Sequence, residues 1–284
     1  MSFLHHIRRC NRFDPTHFRP FEVAGQQVGR VRTEFATRLA AFPEVFTVKD
    51  DRVALDHRLA DAATRTRVLR EVTGQLAAAG ALPAPRGEHY PVVTEWGQPP
   101  LLVIDRELVS AFGLRAFGVH VNGVVRSADG MKLWIGRRAP DKSVEPNKLD
   151  NMVAGGQPVG LSLADNLVKE AAEEAAIPAQ LARRAVPVGA IRYCMEGRLG
   201  LKPDTLFVYD LEVPADFVPH NTDGEIAEFT LMAVEEVAEL VRTTEAFKFN
   251  VALVLIDFLI RTGRLSPDTE PDYLALVGGL RGGF

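Results

Sequence analysis

GGQPVGLSLADNLVKEAAEEAAI, residues 155–177, is a glycine-rich turn running into a helix that carries three glutamates. The helix start is legible. Ser162 caps the first turn, and Asp165 three residues later is the acidic partner of a capping box. Leu163, Leu167, Ala171 and Ala175 fall on one stripe and are expected to bury. Glu170, Glu173 and Glu174 stand at i, i+3 and i+4, so their carboxylates share one face. Like charges at that spacing repel by a few tenths of a kcal/mol per pair, roughly. A hard divalent cation reverses that cost, because Mg²⁺ takes carboxylate oxygens and leaves room for substrate phosphates. On a helix alone, three glutamates read as a solvated acidic face. Gly155, Gly156 and Gly160 change that reading, since they permit tight or positive-φ turns beside the acids.

Spacing sharpens it further. From Gly155 the chain runs five residues to Leu161 and seven more to Lys169, followed by Glu170, Ala171, Ala172, Glu173, Glu174, Ala175, Ala176 and Ile177. This register resembles the box of Nudix hydrolases: Gly, five residues, Glu, seven residues, then Arg-Glu-apolar-x-Glu-Glu-x-Gly-apolar. Leu161 stands at the first Glu, Lys169 at the Arg and Ala176 at the closing Gly. Lysine keeps the charge and loses the planar fork. The resemblance implies Mg²⁺ or Mn²⁺ held by Glu170, Glu173 and Glu174, with the Gly155 carbonyl as an extra ligand.

Composition sets the surroundings. At 284 residues the chain is long for one average domain, and two units are expected. It is 46% apolar and 25% charged, normal for a globular protein with a full core. A net charge of −4 gives no sign of nucleic-acid binding. Two cysteines, Cys10 and Cys194, argue against a disulfide scaffold and suit a reducing compartment, so a cytoplasmic location is expected. Residues 1–12 lack an apolar signal core. The longest apolar run, 251–260, is broken by Asp257 and is too short to span a bilayer, so no membrane partner is expected.

Residues 1–114 form the first expected unit, an α+β accessory domain. His5, His6 and Cys10 are a weak metal candidate without a second ligand pair. Phe13, Phe18 and Phe21 read as an extended, proline-punctuated lead-in that packs on a core or stacks on a ligand. Residues 28–31 are a strand, 32–41 a helix, 45–48 and 53–55 a hairpin, and 61–79 a long helix stopped by Gly80. Prolines punctuate 83–100, then come a strand at 101–104 and a brief helix at 105–112. The second unit, residues 115–284, reads as strands at 116–125 and 132–137, the box helix, strands at 185–194, 205–211 and 225–231, helices at 234–241 and 247–262, and a loosely packed glycine-rich tail. Strands around a box helix match the α/β/α sandwich with mixed sheet that the resemblance implies.

Three segments narrow the resemblance: LDNMVAGGQPVG at 149–160, DGEIAEFTLMAVEEV at 223–237, and the lead-in at 13–21. Together they resemble the branch whose Nudix domain is fused, in fungi, to thiamin pyrophosphokinase. That branch implies a small-molecule diphosphate as substrate, thiamin diphosphate or its oxidised forms, cut to the monophosphate. Homodimerisation is left open. Glu225 and Glu228, after the loop at 219–224, are each candidates for ligand or general base, or for an exposed strand face. Arg137, Arg138 and Lys142 approach the box and are candidates to clasp phosphates, or form a solvated basic loop. Asp150 and Asn151 are candidates to fix the loop. Trp96 joins the phenylalanines as a candidate cover for a flat heterocycle. Three alternatives remain: another nucleoside or sugar diphosphate as substrate, a degenerate box serving as a ligand sensor, and a diphosphate isomerase needing Cys194 as its catalytic thiol.

Overall fold

A computed structural model describes residues 1–282 and distributes the strands over three sheets. Helix α1 (Phe3–Cys10) opens the chain. Strands β1 (Phe18–Val23) and β2 (Gln26–Arg32) pair antiparallel, helix α2 (Thr33–Leu39) follows, and β3 (Phe46–Val48) and β4 (Val53–Leu55) make a second hairpin. They form a sheet in the order β2-β1-β4-β3. Helix α3 (Ala62–Ala78) starts where Asp61 accepts from the Thr64 N–H at 2.8 Å, and it packs on β6 (Leu102–Asp105), the partner of β5 (His89–Val92). The lead-in is thus a true strand. Phe21 is fully buried, with its ring 5.2 Å from Phe112 and 6.4 Å from Phe46, so it closes this unit's core and covers no ligand. Phe18 is buried beneath Arg32, and Phe13 packs beside it.

The second sheet positions the site. Its strands are β7 (Ala116–Ser127), β8 (Gly130–Arg138), β9 (Leu149–Asp150), β10 (Val153–Gly156), β11 (Val186–Glu196), β12 (Leu201–Glu212) and β13 (Ile226–Ala233). The order is β11-β12-β7-β8-β13, with β10 added to β7 and β9 to β8. β12 runs parallel to β7 and the other pairings are antiparallel, so the sheet is mixed. One edge of β7 is shared. Its residues 123–127 pair with β8, while 118–121 pair with β10. β7 and β8 therefore splay, and the glycine-rich box strand enters the gap.

Alternation along β7 sends its side chains to two layers. Val121 and Val125 meet helix α4 (Leu163–Ala175) through Leu167, Ala171 and Ala175. Short α5 (Ala179–Ala182) follows α4. Val124 on the other face, with Leu133 and Ile135 of β8, meets α6 (Val234–Thr243) and α7 (Phe249–Arg261). Every residue over 249–259 is buried, and no described helix is long and apolar enough to cross a membrane. The result is the expected α/β/α sandwich.

Both chain ends depart from expectation. Helix α1 lies in the segment assigned to the first unit, yet Phe3, Leu4, Ile7 and Cys10 are buried in the second unit's core, because one apolar face meets α7. His5 pairs with Glu245 at 2.7 Å, His6 Nε2 meets the Val241 carbonyl at 2.7 Å, and the Cys10 thiol donates to the Phe249 carbonyl. These contacts serve packing and bring no ligand set together. The tail is not loose: it forms α8 (Tyr273–Gly279), buries Leu276 and Leu280, and accepts the Arg192 N–H on the Leu280 carbonyl at 3.1 Å. Residues 283–284 of that tail lie outside the described residues.

Candidate active site

Helix α4 starts as its sequence dictates. The Asp165 N–H donates to Ser162 Oγ at 3.1 Å, and that hydroxyl donates to Asp165 Oδ2 at 2.7 Å. The far end is less regular. Ala176 takes the left-handed conformation, φ 50°, where the box pattern has glycine. The loop at 217–224 folds over the helix end. Thr222 donates through N–H and Oγ1 to the Glu173 carbonyl at 3.0 and 2.7 Å, and Asn221 Nδ2 donates to the Glu174 carbonyl at 3.3 Å. These contacts satisfy carbonyls that every helix leaves open at its C-terminus.

The three glutamates take different places. Glu174 is buried and accepts the Ala154 N–H of β10 at 2.7 Å. Burial pushes its carboxyl well above the usual range, the Ala154 N–H opposes this, and Asp150, Glu170 and Glu225 add to it. Glu170 lies against Gly155, where a Cβ would sit 2.3 Å from its carboxyl carbon. Burial raises its pKa, opposed by Lys169 and supported by Glu173 and Glu88. Glu173 is exposed. Lys169 Nζ donates to Glu173 Oε2 at 2.6 Å and to Glu170 Oε1 at 3.2 Å. Among the described residues no three acidic, histidine or cysteine side chains converge as an ion-holding group. The Lys169 ammonium instead bridges two of the three carboxylates. A cation bound between carboxylate oxygens, beside a glycine that leaves room for one of them, fits the donor chemistry of a hard divalent ion.

The glycines matter for space more than for conformation. Of Gly155, Gly156 and Gly160, only Gly160 has a positive φ, at 88°. A Cβ on Gly156 would lie 1.5 Å from the Tyr90 hydroxyl, which comes from β5 of the first unit. Leu161 is exposed and contributes only its carbonyl, which accepts from Gln157 Nε2 at 2.8 Å, so no carboxylate stands at that box position.

The expected basic residues separate. Arg138 is buried and spends Nη1 on Asp150 Oδ2 at 2.8 Å and Nη2 on the Val144 carbonyl at 2.8 Å, with Nε shared between the Val144 and Glu145 carbonyls. It braces a loop, and its guanidinium is engaged on every nitrogen, which removes it as a free phosphate clasp. Arg137 pairs across strands with Glu228 at 2.5 Å, both exposed. Lys142 pairs with Glu225. Glu225 is close enough to Glu174 to raise its pKa; Glu228 is held on the strand face by Arg137. Asp150 and Asn151 do fix the loop, since Asp150 Oδ1 accepts the Asn151 N–H at 2.9 Å.

Tertiary packing adds groups that no local pattern marked. Lys248, which precedes α7, places Nζ 3.5 Å from Asp150 Oδ2. Burial lowers its pKa; Asp150 and Glu174 oppose this, while Arg138 and Arg106 add to it. Burial pushes Asp150 up, but Lys248, His120 and Arg138 outweigh it and hold the carboxylate low. His120 of β7 is pushed down to about 4 by burial and Lys248, and its Nδ1 meets Asn151 Oδ1 at 2.8 Å. Asp204 of β12 accepts the Tyr193 hydroxyl at 2.7 Å, and burial raises its pKa. From the first unit come Tyr90, Arg106 and Glu88, beside the box strand. Trp96, 42% exposed, rests on Phe117 and Phe207 at centroid distances of 4.9 and 4.7 Å. Cys194 is buried and its thiol is pushed up to about 12 by burial, the opposite of what a catalytic thiol needs.

Known proteins resemble the chain in two ways. A family model described as a domain of unknown function (DUF4743) matches residues 2–116. Over nearly the whole chain, two Arabidopsis thaliana proteins are similar: Nudix hydrolase 24, chloroplastic, 43% identical over 99% of this chain and 78% of its own length, and Nudix hydrolase 20, chloroplastic, 41% identical over the same shares. Among solved structures, DR0079 from Deinococcus radiodurans superposes with a TM-score of 0.46 and 23% identity, covering 59% of this chain and 97% of that one.

Proposed function

The chain belongs to the Nudix hydrolase family, and from that premise we propose that it cleaves the diphosphate of a small molecule, thiamin diphosphate or an oxidised analogue, to the monophosphate. The observation that carries the diphosphate chemistry is the placement of two carboxylates of one α4 face on the box strand, Glu170 against Gly155 and Glu174 on the neighbouring Ala154 N–H. Those two, with Glu173 once Lys169 turns away and with the Gly155 carbonyl, would hold Mg²⁺ or Mn²⁺. When bound, that ion offsets phosphate charge and lowers the pKa of its water. Glu225, close to Glu174 and half-exposed, is the general base in this reading; Glu228 is the second choice because Arg137 holds it. Arg137 and Lys142 reach substrate only by leaving their glutamate partners.

The thiamin choice rests on the three segments that resemble the fungal branch and on the exposed Trp96 face, which suits a flat cationic ring. Residues 1–114 then act as the accessory unit that shapes selectivity. Two free, buried cysteines suit a reducing compartment, and a cytoplasmic location is read on that ground. The test compares thiamin diphosphate and an oxidised analogue with ADP-ribose, a nucleoside triphosphate and a dinucleotide polyphosphate at matched Mg²⁺ or Mn²⁺. The highest kcat/KM is expected for a thiamin compound, with thiamin monophosphate as product. Preference for a nucleoside compound overturns the substrate, and no cleavage of any of them favours the sensor alternative.

A further inference from the structure

Residues 139–148, between β8 and β9, form a loop whose backbone is held from outside. Glu145 and Asn147 both have positive φ, 45° and 62°, and for a glutamate that region is costly. Such backbone persists only where its surroundings fix it. Part of the fixing is local. Arg138 Nε donates to the Glu145 carbonyl at 3.1 Å, and Arg137 Nη1 donates to the Asn147 carbonyl at 3.3 Å. The rest comes from the two ends of the chain. Glu145 Oε2 accepts the N–H of Phe249, the first residue of α7, at 2.7 Å, and Glu145 Oε1 accepts from Arg9 Nη2 at 2.8 Å.

Arg9 stands in the last turn of α1, and packing aims it. Phe3, Leu4 and Ile7 of the same helix are sunk in the core against α7 and α8, which leaves the His5–Arg9 side facing the loop. His5 pairs with Glu245 at 2.7 Å, and Arg9 Nη1 lies 3.2 Å from Glu245 Oε2. Arg9 therefore spans two carboxylates, one on the loop and one just before α7. The planar guanidinium suits that task, since its separate N–H groups can face two acceptors at once. The Arg9–Glu145 pair is also drawn in from solvent, with side chains 29% and 20% exposed, so water and salt screen it less than a surface pair.

The loop carries groups of the candidate site. Lys142 pairs with Glu225, and Arg138, whose Nε holds the Glu145 carbonyl, gives Nη1 to Asp150 Oδ2 at 2.8 Å. A continuous line of hydrogen bonds thus runs from α1 through Glu145 and Arg138 to Asp150. We propose that Arg9 is a positioning residue of the active site: through Glu145 it locks the 139–148 loop, and the locked loop keeps Lys142 and Glu225 in place for the reaction. Helix α1 then completes the site without touching substrate. This rests on the reading of the chain as a diphosphate hydrolase with Glu225 as its base.

The experiment joins steady-state kinetics on the best-cleaved diphosphate to backbone deuterium exchange of the full chain. In R9Q, kcat is expected to fall about 5- to 20-fold, a partial loss of what a well-placed general base supplies. KM should change by about twofold at most, because the box carboxylates stay where they are. Exchange should quicken over 139–148 and remain parental in α4. E145Q keeps an oxygen for the Phe249 N–H and loses the ion pair, so it should match R9Q, and the double variant should be no worse than either single one. R9K, which can hold Glu145 but not both carboxylates, should recover part of the rate. L4A removes a core contact of α1 and lowers the melting temperature, yet its kcat should stay parental; this separates positioning from stability. E145Q and R9K decide the matter if R9Q fails to fold. Parental kcat in folded R9Q or E145Q, or an equal loss of kcat in L4A, overturns the role of Arg9 and leaves the hydrolase reading intact. A parent that cleaves no diphosphate overturns both.

Discussion

The two ends of α7 each meet a charge cluster, and the clusters are built differently. At the C-terminal end, Arg261 donates to Asp257 Oδ2 at 2.7 Å and to both oxygens of Asp210 at 2.8 and 3.1 Å. Arg281 donates to the other Asp257 oxygen at 2.6 Å, and Asn122 Nδ2 donates to Asp210 at 2.9 Å. Each carboxylate there has a strong partner on both oxygens. At the N-terminal end, Lys248 has one long ion pair, Glu174 is pushed toward its neutral form, and the buried Asn250 Oδ1 has no partner. A hydrogen-bonded chain joins the ends: His120 to Asn151, Asn151 Nδ2 to Asn122 at 2.9 Å, and Asn122 to Asp210. The closed cluster holds the fold. The open one keeps donors and acceptors in reserve for a ligand, at a cost in stability that a closed cluster avoids.

That contrast is broken most directly at Glu174. In Glu174→Gln the amide oxygen still accepts the Ala154 N–H, but the charge is gone. Activity is expected to fall about 10²- to 10⁴-fold, the loss of a main contributor to charge stabilisation. Stability should move the other way. Glu174's folded pKa is raised, so the folded state binds more protons than the unfolded state, and the parent loses stability as pH rises from about 4.5, the ordinary glutamate value, through the folded pKa. Glutamine does not titrate. The variant should therefore melt higher than the parent at neutral pH, with the gap closing below about 4.5; melting curves across pH, without added metal, check this. Equal melting at neutral pH contradicts the strained reading of this end.

Asp257→Ala attacks the closed cluster. It removes one partner from the half-exposed Arg281 and one from Arg261, which keeps Asp210, and denaturant unfolding should show a loss of about 1–3 kcal/mol. Specific activity of the folded fraction should match the parent. If activity collapses while the fold survives, the two clusters are coupled through the Asn122 chain. The smallest effect sharpens the comparison at the backbone. Ala176→Gly relieves a left-handed alanine at the end of the box helix and should stabilise the chain by about 1 kcal/mol, with activity changed little. A loss of stability would mean that the Ala176 methyl contributes packing that outweighs its backbone strain.

Legibility followed the range of the forces involved. The α4 start was readable because Ser162, Asp165 and the apolar stripe act within a few residues of each other. The β3–β4 hairpin and α3 were readable for the same reason, down to the Gly80 that stops the helix. The second half of the site was not. Arg106, Tyr90, His120 and Lys248 are far apart in the chain and meet only when the sheet splays. Gly156 misled for a subtler reason: glycine signals both unusual φ and missing volume, and only the partner across the gap tells which applies. Arg138 misled because a cation near a box looks the same in sequence whether it faces a phosphate or an internal carboxylate. Helix α1 was missed because its apolar face is only two turns long and its partners lie more than two hundred residues away.

That last separation has a consequence for how the protein is made. Helix α1 leaves the ribosome well before α7 and α8, against which it packs. The sheet and helices of the first unit can close while α1 still lacks its partners, so an apolar helix trails an already folded body until α7 and α8 emerge. A chain released early would display that face with nothing to bury it. Such a nascent product is a natural client for holding chaperones and a natural source of aggregates. Separate expression of the second unit would meet the same difficulty from the other side, unless the first ten residues were supplied with it.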